Sequence, residues 1–270
     1  MLQAYAAEGM DGRAVFELFF RELPEQWNYL VAAGLEQAVR DVLAWRFRDE
    51  ELAYLRATGH VSEKLVQRLA TWRFAGDIDA VPEGTPVFGH EPILRVEAPI
   101  FDAQLLETLV INRVMFPSLA ATKASRIVHA AAGRNVVDFG ARRAHGPEAS
   151  MAVARSSYLA GFSATSLVEA GRRLGIPITG TMAHSYILSH DDEADAFEAF
   201  LNEFPETVLL VDTYDTLAGV DKVIDIARRL GEDFKVSAIR LDSGDMAELS
   251  KQARRRLDEA GLERLKTLAS

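Results

Sequence analysis

Polar side chains that could do chemistry follow several short apolar segments of this 270-residue chain. His184 comes just after the apolar run that ends at Gly180, and Asp212 comes directly after another such run. An imidazole beside a carboxylate can transfer protons or groups, because the carboxylate fixes the ring tautomer and stabilises its charged form. A single histidine is more often an ordinary loop or core residue with its nitrogens satisfied, so the case depends on the other segments.

The ends of the other apolar segments carry arginines, carboxylates, hydroxyls and one aromatic ring. In chain order these residues are Asp138, Phe139, Arg142 and Arg143, then Thr165 and Ser166, then Thr181, then Asp215, and finally Arg240, Asp242, Ser243 and Asp245. Any one of them could be a helix cap or a surface group. Five polar segment ends in succession are hard to explain by capping alone. We therefore predict a site for an anionic ligand that bears hydroxyls, with a divalent cation and no certain metal-ligating residue.

Two interpretations stay open for Asp242 and Asp245, which flank a Ser-Gly turn. Their oxygens suit sugar hydroxyls or Mg²⁺. They also suit an N-cap and an acidic group at the start of a helix, and both interpretations can hold at once.

The elements that would position these side chains alternate regularly between residues 135 and 260. Five strand–loop–helix units follow one another there, and their strands are almost continuously apolar, as expected when both faces of a parallel sheet are buried. No strand is followed by a glycine-rich nucleotide loop. The predicted fold class is α/β: an incomplete parallel α/β barrel, with strand ends on one face. Five units are too few to close it.

The preceding part of the chain has a different character. We predict an N-terminal helical and small β-sandwich domain over residues 1–118 and the partial barrel that carries the site over 119–270. Helices are expected over 103–116 and 120–132, with a break near Pro117, and the last residues, 262–270, are helical in pattern. A short strand is expected at 160–163.

Composition narrows the classes of protein. The formal charge of −10 argues against a nucleic-acid surface. No apolar run is long enough to cross a membrane. The absence of cysteine excludes disulfides and thiolate sites and suits a cytoplasmic location.

Six motifs in this order closely resemble nicotinate phosphoribosyltransferases, which are type II phosphoribosyltransferases. The motifs are Ala14–Phe20, Pro117–Ile127, Asp138–Arg143, Gly180–Ser185, Val211–Thr216 and Arg240–Asp245. Each is modest alone, and six in order are specific. The resemblance implies that nicotinate and phosphoribosyl pyrophosphate are joined to give nicotinate mononucleotide and pyrophosphate, with ATP hydrolysis coupled through a phosphohistidine and with Mg²⁺.

The resemblance also implies roles for individual residues. His184 matches the phosphorylated histidine and Asp212 the carboxylate that supports it. Phe139 matches the aromatic ring that stacks on the pyridine. The remaining matches are with positions near the nicotinate, the ribosyl group or the phosphates: Arg142, Thr181, Arg240 and Asp242. Ser166 stands where the nicotinamide-specific enzyme has an aspartate, so the acid is the favoured substrate and the amide the alternative.

Two departures from the family pattern concern the ends of the chain. The family has a Thr-Asp-Leu-Tyr segment before this start, whose tyrosine closes over the partner subunit's site, and further strands with a glycine-rich phosphate loop after this end. The resemblance therefore implies a homodimer with a shared active site, and a chain truncated at both ends. A catalytically incomplete fragment that only folds and dimerises is a second alternative.

Overall fold

The computed structural model describes all 270 residues, which form two compact units, Met1–Thr179 and Gly180–Ser270. The helices are α1 (Leu2–Glu8), α2 (Leu35–Ala44), α3 (Asp49–Ala57), α4 (Glu63–Thr71), α5 (Ile100–Ala130), α6 (Pro147–Leu159), α7 (Val168–Leu174), α8 (His184–Ile187), α9 (Glu193–Glu203), α10 (Thr216–Leu230) and α11 (Met246–Glu259). The strands are β1 (Arg13–Leu18), β2 (Leu30–Val31), β3 (Asp77–Ala80), β4 (Pro86–Val87), β5 (Leu94–Pro99), β6 (Val137–Asp138), β7 (Ala164–Thr165), β8 (Val208–Leu210), β9 (Ala238–Leu241) and β10 (Lys266–Ala269).

An antiparallel sheet in the order β1-β5-β3 organises the first part of the N-terminal unit. Pairing between β1 and β5 runs from Arg13 opposite Pro99 to Leu18 opposite Leu94. The alternation of partly buried and exposed residues in β1 fits a strand with one covered face. The strands β2 and β4 form a separate antiparallel pair. The predicted small β region is thus present, with β1 as an additional strand.

Helix α5 is continuous over 31 residues, so the predicted pair of helices with a break at Pro117 is wrong. A proline inside a helix leaves the carbonyl four residues earlier, that of Arg113, without its usual donor. Buried residues on both sides of Pro117, among them Val114 and Ala121, keep the helix packed through this point. Tertiary packing therefore outweighs the local cost of the proline.

Two hydroxyl side chains join α5 to the segment around β2. The backbone N–H of Val31 donates to Thr122 Oγ1 at 2.8 Å, and that of Ala33 donates to Ser118 Oγ at 3.1 Å. Close to them, a Cβ on Gly34 would lie 2.0 Å from the Arg113 carbonyl oxygen, so only glycine fits this approach. The Pro-Ser-Leu-Ala-Ala-Thr part of the sequence motif thus has a packing function.

The later part of the N-terminal unit contains the first parallel strands. β6 pairs with β7 in parallel, and Thr165 forms a further parallel bridge with Ile178. The strand expected at 160–163 begins instead at Ala164, because Gly161 adopts a φ of +108° in a turn after α6.

The C-terminal unit has a three-stranded parallel sheet in the order β10-β9-β8. Its core includes Leu209, Ile239 and Leu257, all fully buried. The predicted helix over 262–270 is wrong, because residues 266–269 are β10, paired with β9. Leucines at 262, 265 and 268 have a helix-like spacing, but pairing with a distant strand decides the structure of this segment.

The α/β class is confirmed. From β6 onward the paired strands are parallel, as the barrel interpretation requires: β6 with β7 in the N-terminal unit, and β8, β9 and β10 in the C-terminal unit. The proposed domain boundary at 118/119 falls inside α5, while the boundary between the compact units lies at 179/180 in the sequence. A division by function at 118/119 stays a prediction. No helix is long and apolar enough to cross a membrane.

Candidate active site

His184 lies between two carboxylates in the C-terminal unit. It opens α8, with its Nε2 atom 3.3 Å from Asp212 Oδ1 and its Nδ1 atom 4.0 Å from Asp242 Oδ2. The imidazole is 39% exposed, whereas the Asp212 side chain has no exposed surface. A solvent-accessible ring backed by a buried carboxylate can react on one side while it is held on the other.

Asp212 is fixed by the sequence that follows β9. Its Oδ2 atom accepts from the Asp242 backbone N–H at 2.9 Å and from the Ser243 hydroxyl at 2.6 Å. Its Oδ1 atom is buried, has no hydrogen bond and faces only His184. Because Oδ2 is occupied, Oδ1 is the oxygen that orients the imidazole.

A glycine in the first turn of α10 allows Asp212 to hold this position. A Cβ on Gly219 would lie 2.3 Å from the carbonyl oxygen of Val211, the residue before Asp212. The helix N-terminus is capped by Asp215, whose Oδ1 atom accepts from the Ala218 N–H at 2.8 Å. A larger residue at 219 would push the end of the β8 segment and its carboxylate away from the ring.

Arg240 is locked by three neighbours at the end of β9. Its Nη2 atom lies 3.1 Å from Asp242 Oδ2, and its Nη1 atom donates to Thr181 Oγ1 at 2.7 Å. Its Nε atom donates to Ser270 Oγ at 2.9 Å. Such a guanidinium is oriented before a ligand arrives, which reduces the entropy lost on binding.

Asp242 is charged in this setting. Partial burial opposes ionisation, but the hydrogen bond from Ser270 Oγ (2.6 Å) and the charge and hydrogen bond of Arg240 together hold the pKa of Asp242 below its ordinary value of 3.8. The site around His184 therefore combines fixed negative charge with one oriented cation.

Ser270 was missed by the sequence reasoning. It bridges Arg240 and Asp242 and is placed there by β10. It was missed because residues 262–270 were predicted to be helical. A sixth apolar strand at 265–269 would have been the sequence signal for it.

The other predicted residues lie in the N-terminal unit or act as caps. The buried Asp138, the last residue of β6, accepts from the Gly140 N–H and the Thr165 hydroxyl, both at 2.8 Å. It thereby shapes the turn that presents Phe139, which is 37% exposed, and the exposed Arg142. The Ser166 N–H donates to the Asp138 carbonyl at 2.8 Å.

Asp245 caps α11 and does not join the His184 cluster. Its Oδ1 atom accepts from the Glu248 N–H at 3.0 Å, which is the capping alternative. The structure thus brings together six of the predicted residues in one unit, namely His184, Asp212, Thr181, Arg240, Asp242 and Ser243. In the other unit, Phe139 and Ser166 directly follow the paired strands β6 and β7, and Arg142 lies in the turn after β6.

The carboxylates do not form a magnesium site by themselves. No group of three or more His, Cys, Asp or Glu side chains could hold a metal ion. Both oxygens of Asp242 have partners already, and Asp212 Oδ1 faces His184. Since Mg²⁺ is often held by one or two carboxylates and by substrate phosphates, the donors here suit it only when phosphate oxygens complete its shell.

Comparison with known proteins identifies the fold and the family. The solved structure of human nicotinic acid phosphoribosyltransferase matches 100% of this chain and 66% of its own, with a TM-score of 0.90 and 29% identity. The fold is therefore that of the type II phosphoribosyltransferases. Residues 1–115 match the nicotinate phosphoribosyltransferase N-terminal domain, and residues 134–264 match the nicotinate phosphoribosyltransferase family. The chain belongs to the nicotinate phosphoribosyltransferase family.

Two curated relatives agree. Nicotinate phosphoribosyltransferase pncB2 of Mycobacterium tuberculosis is 55% identical over 270 residues, 100% of this chain and 58% of the relative. Nicotinate phosphoribosyltransferase of Bacillus subtilis is 43% identical over 272 residues, 100% of this chain and 56% of the relative. The chain thus spans somewhat more than half the length of these relatives.

Proposed function

We propose that this chain supplies the histidine-bearing part of a nicotinate phosphoribosyltransferase. The reaction joins nicotinate and phosphoribosyl pyrophosphate to give nicotinate mononucleotide and pyrophosphate, with coupled ATP hydrolysis. The observation that carries the proposal is the half-exposed His184 held by the fully buried Asp212, in a chain of this family. Oriented imidazole–carboxylate pairs are typical of activated nucleophiles.

Nδ1 of His184 is the atom we assign as the nucleophile toward ATP. Nε2 lies 3.3 Å from a buried oxygen that has no other partner, so a proton on Nε2 is favoured there. The lone pair then resides on Nδ1. Nδ1 bonds to the γ-phosphorus as the bond to the bridging oxygen of the departing ADP breaks, and Asp212 stabilises the positive charge that develops on the ring.

Glycosyl transfer needs positioning and charge stabilisation more than acid–base chemistry. The bond between the ribosyl C1′ and pyrophosphate breaks with its electron pair going to pyrophosphate, and the pyridine nitrogen bonds to C1′. Arg240, held by Thr181 and Asp242, would orient an anionic group of the substrates. When bound, Mg²⁺ would neutralise charge on the phosphates, held in part by their own oxygens.

Preference for the acid over the amide is assigned to the end of β7. Ser166 can donate a hydrogen bond to a carboxylate, whereas an aspartate there would repel it. Phe139 and Arg142, on the neighbouring turn, would contact the pyridine and a phosphate. A Ser166→Asp variant should lose nicotinate turnover relative to nicotinamide in a competition assay, and unchanged preference would contradict the assignment.

A homodimer that shares the active site and a cytoplasmic location complete the proposal. The alternative is a catalytically incomplete fragment, favoured by one observation: the chain spans 58% of its Mycobacterium tuberculosis relative. Turnover of the 270-residue chain beside a version extended at both ends with that relative's segments separates the two. Measurable and equal turnover of the two proteins would refute the fragment alternative.

The phosphohistidine is tested by phosphoryl transfer from γ-labelled ATP. His184→Ala should abolish acid-labile, base-stable labelling and ATP-coupled turnover. His60→Ala is the matched control, because His60 is exposed in the turn between α3 and α4 and should change neither. Full labelling of the His184 variant would overturn the assignment.

A further inference from the structure

The hydroxyl of Ser270 links two charged groups of the His184 site and has no assigned role. Its Oγ atom accepts from Arg240 Nε at 2.9 Å and donates to Asp242 Oδ1 at 2.6 Å. The Leu241 carbonyl, at 3.4 Å, is a more distant acceptor for the same proton. Because a hydroxyl has one proton to donate and lone pairs that accept, a single oxygen orients both the cation and the carboxylate.

Pairing of the backbone fixes the position of this hydroxyl. Ser270 directly follows β10, and its N–H donates to the Leu241 carbonyl at 3.0 Å, which extends the pairing of β10 with β9. Arg240 and Asp242 flank Leu241, the last residue of β9. Although Ser270 is exposed, the Arg240 and Asp242 side chains are only 13% and 21% exposed. Hydrogen bonds to these charged groups are therefore partly shielded from water, and such bonds are stronger than those between neutral groups.

The orientation of the Asp242 carboxylate matters for His184. Its Oδ2 atom lies 3.1 Å from Arg240 Nη2 and 4.0 Å from His184 Nδ1. A separation of 4.0 Å is too long for a hydrogen bond. A carboxylate that turned toward the ring would close this gap and accept from a proton on Nδ1. Ser270 on Oδ1 and Arg240 on Oδ2 hold both carboxylate oxygens against that rotation.

A proton on Nδ1 would block the chemistry assigned to that atom. In the transfer step the Nδ1 lone pair bonds to the γ-phosphorus, and the electron pair of the breaking P–O bond leaves with ADP. The proton on Nε2 stays toward Asp212. With Asp212 at Nε2 and Asp242 at Nδ1, the ring would be held as the imidazolium, which has no lone pair to donate. The distance between Asp242 and Nδ1 is thus a condition for the reaction.

We propose that Ser270 is a positioning residue that keeps Asp242 on Arg240 and away from Nδ1 of His184. This nitrogen then stays unprotonated and open for phosphoryl transfer. The effect on phosphoryl transfer rests on the proposed function. The orientation of Asp242 and the protonation of Nδ1 do not depend on it.

The first test is ¹⁵N NMR of the ring nitrogens in the full chain at neutral pH, with His184 assigned by comparison with His184→Gln. Ser270→Ala removes the hydroxyl and should move the Nδ1 signal toward the protonated position. Ser270→Thr keeps the hydroxyl at an exposed position and should restore the wild-type signal. An unchanged Nδ1 signal in Ser270→Ala would overturn the proposal.

Ser237→Ala is the matched control for this test. Ser237 is also exposed and lies just before β9, at the opposite end of the strand from Arg240. Its hydroxyl donates to the Thr207 carbonyl at 3.0 Å, so the variant likewise removes one hydroxyl hydrogen bond. The Nδ1 signal should not move in Ser237→Ala. A shift as large as that of Ser270→Ala would mean that loss of any strand-end hydroxyl is enough, and would overturn the proposal.

A double-variant cycle identifies the group through which Ser270 acts. In an Asp242→Ala background there is no carboxylate to turn toward the ring. Ser270→Ala should then leave the Nδ1 signal unchanged, although it shifts that signal when Asp242 is present. A shift of equal size in both backgrounds would show that Ser270 acts by another route, against the proposal.

The labelling of His184 from γ-labelled ATP tests the effect on transfer. Ser270→Ala should lower the labelling rate by about tenfold, as expected for the loss of one hydrogen bond to a charged group, with Ser270→Thr close to the wild type. A wild-type rate in Ser270→Ala would overturn the role in transfer. An Nδ1 shift in Ser270→Ala with no labelling in any protein, the wild type included, would support the positioning role and contradict the proposed function.

A measurement on the unmodified chain covers the case in which Ser270→Ala does not fold. The Arg240 Nε–H group should exchange with water more slowly than arginine Nε–H groups of the urea-unfolded chain, because it donates to Ser270. The Nδ1 atom of His184 should be unprotonated at neutral pH. Exchange as fast as in the unfolded chain, or a protonated Nδ1, would overturn the proposal without any variant.

Discussion

At the scale of single residues, the tautomer of His184 follows from one buried oxygen. Asp212 Oδ2 is occupied by the Asp242 N–H and the Ser243 hydroxyl, which leaves Oδ1 for the imidazole. In Asp212→Asn the amide oxygen would keep the two donors and the NH₂ group would face Nε2. The ring would then carry its proton on Nδ1, the atom proposed to attack phosphorus.

Asp212→Asn should therefore reduce His184 phosphorylation by roughly 10²- to 10⁴-fold while the protein stays folded. The ¹⁵N signals of the ring report the tautomer directly, whatever the activity. Ser243→Ala, which removes one of the two donors to Asp212, is the milder comparison. Retention of the Nε2-protonated tautomer in the Asn variant would contradict this account.

At the scale of elements, the contact between α5 and the segment after β2 depends on a glycine. Gly34 has a φ of +82°, and a Cβ there would meet the Arg113 carbonyl at 2.0 Å. Gly133 has the same φ of +82° with nothing within 4 Å. Alanine substitutions at these two glycines therefore separate the cost of backbone strain, which both share, from the cost of steric overlap, which only Gly34 has.

Gly133→Ala should cost about 1 kcal/mol of unfolding free energy, the usual penalty for a left-handed conformation. Gly34→Ala should cost at least about 2 kcal/mol more, because the helix or the β2 segment must move. Urea unfolding of both variants measures the difference. Similar costs would mean that the Gly34 contact relaxes freely.

The sequence predicted most elements and misplaced those decided by distant partners. Local apolar patterns located the helical and small β character of the first part of the chain and the strand–helix alternation between residues 135 and 260, because such patterns reflect burial. The proline at 117 and the leucine spacing after 261 are local signals that packing and strand pairing overrode. The same pairing explains why Ser270 was missed, whereas His184 and Asp212 follow apolar runs that local pattern detects.

At the scale of the whole molecule, Asp242 and Glu193 contribute to the free energy of unfolding with opposite dependences on pH. The pKa of Asp242 is lowered from 3.8 on folding, so the folded chain holds fewer protons near that pH than the unfolded chain. The stability that Asp242 contributes is therefore lost as the pH falls. Burial raises the pKa of Glu193 from 4.5, so the folded chain holds more protons just above that pH. Its contribution is present below pH 4.5 and is lost as the pH rises through the folded value.

Urea unfolding of the wild type, Asp242→Asn and Glu193→Gln across pH checks both signs. The stability of the wild type relative to Asp242→Asn should grow as the pH rises toward 3.8 and above. Its stability relative to Glu193→Gln should fall as the pH rises above 4.5. Two curves with the same slope would contradict the assigned directions.

The uninterrupted α5 also limits how this fold can vary. Residues 101–114 pack in the core around the antiparallel sheet, and Ser118 and Thr122 bond the β2 segment. A helix turns about 100° per residue, so one inserted residue between Val114 and Ser118 would rotate every later contact out of phase. Only length changes of nearly whole turns, such as seven residues, would preserve the angular phase, and even these would shift contacts along the axis by about 10 Å. We therefore expect insertions and deletions in this fold to fall in its loops, while the number of residues in α5 stays constant.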